Sequence, residues 1–207
     1  MCTNAQWSFH DIYLFLGALL DRCENVATKD TDARAGDMED EDGGAEDRRL
    51  RTSEDLYTAA LRHDPAHVDA LFNLAVLHER KSGGVDRAEE LYERVLRLSP
   101  GHVDALNNYG LLLQHQRSRF AEAEQCFDRA VAQDPRREDV LTHYGLLVED
   151  FRRDMRGAEV AYRMALDADP AYIPALCHCA GVCLCAGRIE EAEGLFAKAR
   201  RLDPGEE

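Results

Sequence analysis

The sequence predicts an all-α solenoid of antiparallel helix pairs, and three observations predict it. The first is a proline series: Pro65, Pro100, Pro135, Pro170 and Pro204 recur at a nearly constant spacing of about 35 residues, and four of them are preceded by Asp. The second is the recurrence of small and large apolar residues between those prolines at helical spacing. The third is Ser82-Gly83-Gly84, which divides one interval in two, because each Gly in a helix interior costs about 1 kcal/mol relative to Ala. A period of this length means stacked supersecondary units, each covering its neighbour's apolar face.

In chain order, the first element is the apolar run Ile12 to Leu20. It is short for a membrane span, which takes about 20 residues, and no Lys or Arg precedes Arg22 to form a signal-peptide n-region. Tyr13, Leu16-Gly17 and Leu20 match the spacing of Leu106, Tyr109-Gly110 and Leu113, so the run reads as the first helix of a unit. A targeting or docking segment is the other reading. Next comes an acidic tract, Thr28 to Asp47, with nine carboxylates against Lys29 and Arg34. Low hydrophobicity with high net charge predicts a disordered loop over about 24–49. An arm that recruits a basic partner or folds back on the protein's own arginines is the alternative. A calcium loop is excluded, since Asp42 stands where such a loop requires Gly and no Glu closes it.

Leu50, Ser53, Tyr57 and Ala60 precede Pro65 at the offsets at which Val85, Ala88, Tyr92 and Val95 precede Pro100. They predict a helix over about 50–63, the second half of the unit opened by residues 12–20. Residues 1–65 are thus one repeat split by an acidic loop, and 66–207 are four consecutive repeats. Within these, Leu71 recurs as Leu106, Leu141 and Leu176, and Leu74-Ala75 as Tyr109-Gly110, Tyr144-Gly145 and Cys179-Ala180. In each second helix Ala88 recurs as Ala123, Ala158 and Ala192, Tyr92 as Phe127, Tyr162 and Phe196, and Val95 as Ala130, Ala165 and Ala199. An aromatic flanked by small residues one turn away is a knob with room around it.

These columns resemble the tetratricopeptide repeat, whose pattern is a large residue, Leu-Gly, a large residue, then Ala, Phe or Tyr, Ala and Pro. The resemblance implies a right-handed superhelical solenoid whose first helices line a concave groove. Residues at equal offsets then form a ladder across it. Two places after the Leu71 column stand Asn73, Asn108, His143 and His178, all able to donate and accept hydrogen bonds. Such a ladder suits the backbone amides of an extended peptide. It is similar to the asparagine ladder in the repeat domain of O-linked N-acetylglucosamine transferase, which Asp104-Ala105-Leu106-Asn107-Asn108 resembles. The departure is His in the later two places, which implies binding that changes below about pH 6.5. Solvation of an exposed face is the plain alternative for the column. Phe72, Asn107 and Leu111 are further candidates for ligand contact. Repeats that grip acidic chaperone tails use a Lys, Asn and Arg clamp; here Asp69, Asp104 and Asp139 would repel a carboxylate, so a neutral or basic segment is expected.

Other classes fare less well. Lys and Arg total 25 against 40 Asp and Glu, a net charge of −15, which disfavours nucleic acid and anionic membranes. That charge and the Asp-Pro closures also speak against an RNA-binding helical repeat. No phosphate loop, nucleophile elbow or His-Glu-x-x-His occurs, so neither catalytic residues nor a cofactor are expected; a repeat portion of a larger transferase-type enzyme is the rival. Cys177, Cys179, Cys183 and Cys185 cannot meet one tetrahedral ion on a regular helix, which favours core packing over metal or redox chemistry. Seven cysteines, an odd number, favour a reducing, cytoplasmic compartment. Leu195, Phe196, Ala199 and Leu202 lack a polar capping helix; solvation of that helix by Glu190, Glu191, Glu193, Lys198, Arg200 and Arg201 is one reading, and self-association through the C-terminal repeat is the alternative.

Overall fold

The computed structural model describes residues 43–203. These form α1 Gly43–His63, α2 Val68–Glu79, α3 Val85–Leu98, α4 Val103–His115, α5 Phe120–Gln133, α6 Glu138–Asp150, α7 Met155–Ala168, α8 Ile173–Cys185 and α9 Ile189–Leu202, with no strand among the described residues. The helix expected over residues 12–20 and the acidic tract up to Asp42 lie outside them. Where the sequence predicts a loop up to residue 49, α1 already begins at Gly43. Ala45, Glu46, Arg48 and Arg49 are good helix formers, and acids near a helix N-terminus suit its positive end. Local propensity there outweighs charge.

From α2 onward, consecutive helices pack as antiparallel pairs, α2 with α3 through α8 with α9, and α1 packs on α2. Small residues set how closely the pairs approach. A Cβ added to Gly110 would stand 2.9 Å from the Phe127 ring, and one added to Gly145 would stand 2.5 Å from the Tyr162 ring. Tyr92, Phe127 and Tyr162 are fully buried between Ala88, Ala123 and Ala158 and their neighbours. Each such ring contributes roughly 1.5–3 kcal/mol by burial.

The punctuation works at both ends of a pair. Pro disfavours helical backbone in the residue before it, and Ser99, Asp134 and Asp169 are extended, with φ of −133°, −135° and −131°. Asp supplies more than a stop. The Oδ1 atoms of Asp64, Asp134 and Asp169 accept from the backbone N–H groups of Ala66, Arg136 and Ala171 at 3.0, 3.1 and 2.8 Å, closing the turn around the proline. His67 and His102 then cap the following helices, each Nδ1 accepting from a backbone N–H three residues on.

Between the two helices of a pair, one residue takes left-handed backbone: Gly83 at φ 76°, Ser118 at 53°, Arg153 at 56° and Gly187 at 74°. These four stand in register, one per repeat. Successive first helices, α2, α4, α6 and α8, touch one another, whereas successive second helices do not. The first helices therefore form the inner side of the stack.

Candidate functional site

Asn73, Asn108, His143 and His178 lie on α2, α4, α6 and α8, and all four are half-buried. The aromatic of each preceding repeat supports the next column residue. Phe127 lies 6.4 Å from the His143 ring, Tyr162 stacks 5.4 Å from His178, and Asn108 lies beside the Tyr92 hydroxyl. The column is also wired internally. His143 Nδ1 lies 2.8 Å from Asn107 Oδ1, and because an amide oxygen only accepts, Nδ1 carries the proton and donates. Asn107 Nδ2 in turn donates to Asn108 Oδ1 at 3.4 Å. Among the described residues this leaves the His143 Nε2 lone pair and the Asn108 amide N–H as the open hydrogen-bonding valences of those two rungs.

The histidines do not behave as the sequence predicts. A change below about pH 6.5 presumes ordinary imidazoles, but burial pushes His143 down to about 4, with His115 adding to the effect and Asp139 opposing it. His178 is likewise pushed down to about 4, by burial and then by His143. Both rings stay neutral through the physiological range, so each keeps one donor and one acceptor there.

Of the three further candidates, Asn107 is only 6% exposed, and its amide is committed to His143 and Asn108. It braces the column from beneath. Phe72 is half-buried and lies 5.1 Å from the His102 ring and 6.2 Å from Tyr92. Leu111, also half-buried, packs on the core. The carboxylates at the head of this face are not all bare either: Arg137 holds Asp104 at 2.6 Å and Asp139 at 3.0 Å. Its signal in the sequence is its register with the capping positions His67 and His102.

A second feature escapes sequence reasoning. The Tyr92 hydroxyl donates to Glu79 at 2.8 Å, and the Tyr162 hydroxyl donates to Glu149 at 2.9 Å. Burial raises both carboxyls above their ordinary range, and the tyrosine hydrogen bond opposes it. In the repeat between them the same pair of positions holds Gln114 and Phe127. Phe127 has no hydroxyl, and Gln114 Oε1 is buried without a hydrogen-bond partner among the described residues.

The described cysteines, Cys126, Cys177, Cys179, Cys183 and Cys185, form no disulfide, and of these Cys185 alone is exposed. Burial raises the Cys126 and Cys179 thiols to about 11, which leaves them inert at neutral pH. Among the described residues no group of three or more His, Cys, Asp or Glu could hold a metal ion, and no helix is long and apolar enough to cross a membrane.

Residues 45–82 and 77–138 match the family model described as tetratricopeptide repeat. A search of the curated proteins found no match. Among solved structures, MamA aligns at TM-score 0.64 and 21% identity, over 82% of this chain and 97% of that one. PilF of Pseudomonas aeruginosa aligns at 0.70 and 22%, over 80% and 73%. YrrB, described as a tetratricopeptide repeat protein with an unusual peptide-binding site, aligns at 0.58 and 18%, over 77% and 81%. At these identities the likeness is one of fold.

Proposed function

We propose that this chain, a tetratricopeptide repeat protein, is a non-catalytic scaffold that holds an extended segment of another protein along the inner face of its first helices. The observation that carries the reading is the half-buried column Asn73, Asn108, His143 and His178, one polar side chain per repeat on successive touching helices. Neutral imidazoles strengthen it. With Nδ1 committed to Asn107, neutral His143 presents an acceptor and Asn108 presents an amide donor, so these neighbouring rungs match the alternating N–H and C=O groups of an extended main chain. A fold in which a peptide-binding site has been described, as in YrrB, supports the class of ligand.

The segment is neutral to basic. Glu79 and Glu149 add half-buried acidic groups at the C-terminal ends of α2 and α6, and the chain as a whole carries −15, which also argues against nucleic acid. Arg137 tempers the repulsion at Asp104 and Asp139 without reversing it. The odd cysteine count and the lack of a disulfide among the described cysteines support a reducing, cytoplasmic setting.

The test is a peptide array followed by titration of its hits. Replacing Asn73, Asn108, His143 and His178 together by Ala removes up to four hydrogen bonds worth about 1 kcal/mol each. Affinity for the hits is expected to fall by at least about tenfold. Unchanged affinity in the folded quadruple variant contradicts the reading.

A further inference from the structure

A row that reads main chain does not by itself fix register. An extended segment repeats its N–H and C=O groups every two residues, so it can slide along the row and meet the same rungs again. The inner helices differ in one property that sets register, which is charge. Asp69 and Glu79 lie on α2, Asp104 on α4, and Asp139 and Glu149 on α6, and none of these helices holds a Lys or Arg. Arg137, just before α6, offsets Asp104 and Asp139 only in part. By contrast α8 holds no carboxylate, Lys or Arg at all. Pro174 stands there in the register of Asp69, Asp104 and Asp139, and Leu184 in that of Glu79 and Glu149.

The same helix opens a space. Val76, Leu111 and Leu146, one turn beyond Asn73, Asn108 and His143, are half-buried aliphatics that run beside the polar row. Their counterpart on α8 is Gly181. A Cβ added there would have nothing within 4 Å among the described residues, whereas one at Gly110 or Gly145 would meet an aromatic ring. Gly181 is thus a gap in the aliphatic row and not a close approach of two helices. By register the gap is bordered by Leu146 on the touching α6, by the half-buried Leu184, and by His178, which is held in its stack on Tyr162. Burial keeps the His178 ring uncharged down to about pH 4. A charged side chain gains nothing in such surroundings, while a large apolar one is freed from water.

We propose that Gly181 and its surroundings form an apolar subsite at the α8 end of the groove, which takes one large aliphatic or aromatic side chain of the bound segment and fixes its register. This rests on the groove reading above and adds the class of segment: a stretch bearing Lys or Arg with one large apolar residue to one side of it. Charge carries the commitment. Basic residues are attracted by the acids of α2, α4 and α6 and lose that attraction at α8, so one placement along the groove matches both parts of the segment.

Peptide-array hits titrated by fluorescence polarisation test it, each beside a copy in which the apolar residue is Ala, on the wild type and on Gly181→Leu. The Leu variant completes the aliphatic row and fills the subsite. On the wild type, Ala at the apolar position is expected to lower affinity about threefold. Gly181→Leu is expected to weaken the parent peptide about as much, and to leave the Ala copy unchanged, because non-additivity marks direct contact. Equal weakening of both peptides means that Leu merely obstructs the main chain, and it overturns the proposal. A benzoylphenylalanine in place of the apolar residue is expected to crosslink to the wild type within residues 173–185. A crosslink confined to α2 or α4 overturns the proposal even where Gly181→Leu fails to fold. Hits that share no apolar residue, or that need the polar column yet ignore both substitutions, overturn the subsite alone. Absence of any peptide ligand overturns the groove reading together with it.

Discussion

At Gly145 the solenoid has no room for one methyl group, and at Gly181 it has a whole open space. A Cβ at Gly145 would meet the Tyr162 ring at 2.5 Å, and a fully buried ring can move little, whereas nothing lies within 4 Å of a Cβ at Gly181. Gly145→Ala is therefore expected to destabilise by about 1–3 kcal/mol through overpacking. Gly181→Ala, within α8, is expected to stabilise by about 0.5–1 kcal/mol through backbone entropy. Urea unfolding of both variants checks the contrast. A second residue-scale prediction concerns the orphaned Gln114 oxygen. Phe127→Tyr would place a hydroxyl where Tyr92 and Tyr162 place theirs, and Gln114 Oε1 is an acceptor without a donor. The variant is expected to gain about 1 kcal/mol, and the gain is expected to vanish when Gln114 is replaced by Leu. Loss of stability in Phe127→Tyr contradicts this pairing.

At the scale of the element, the first helices tie the column to pH. His143 and His178 are held at about 4 in the folded chain, against about 6.5 for an unperturbed imidazole. Between those values the unfolded chain binds more protons, so the stability due to these histidines is fully present above about pH 6.5 and is lost as pH falls toward 4. Glu79 and Glu149, whose carboxyls are raised, act with the opposite sign and are common to wild type and variant. Replacing both histidines by Asn, the residue of the first two rungs, is expected to reduce the fall in Tm between about pH 7 and about pH 4.5, as followed by circular dichroism. An equal fall in both proteins contradicts the burial of these rings.

The helices themselves were legible in sequence because packing constrains every repeat alike. The Ala88, Tyr92 and Val95 columns recur since nothing else fits between the paired helices. The turn was legible only in part. Gly83 and Gly187 announce positive φ, but Ser118 and Arg153 adopt it with no compositional sign. The capping of α2 and α4 by His67 and His102 was hidden for a similar reason, since polar residues beside a proline read as solvated surface. Asn107 and Asn108 show the limit most clearly. Adjacent in sequence and chemically identical, they differ because the first faces the neighbouring first helix and the second stays half-exposed.

For the whole molecule, stacking turns one polar residue per repeat into a continuous row. The repeat, the helix pairing and the row could all be read from the sequence; the internal hydrogen bonds of the row and the neutral histidines could not. They depend on what lies opposite each side chain. The central claim is that this row recognises main chain rather than side-chain identity. Fluorescence polarisation with a bound peptide tests it directly, by comparing backbone N-methylation at successive amides with scrambling of the side-chain order at constant composition. N-methylation at amides facing the row is expected to lower affinity by at least about tenfold, and scrambling by much less. A peptide that tolerates N-methylation throughout but loses binding on scrambling would contradict the account.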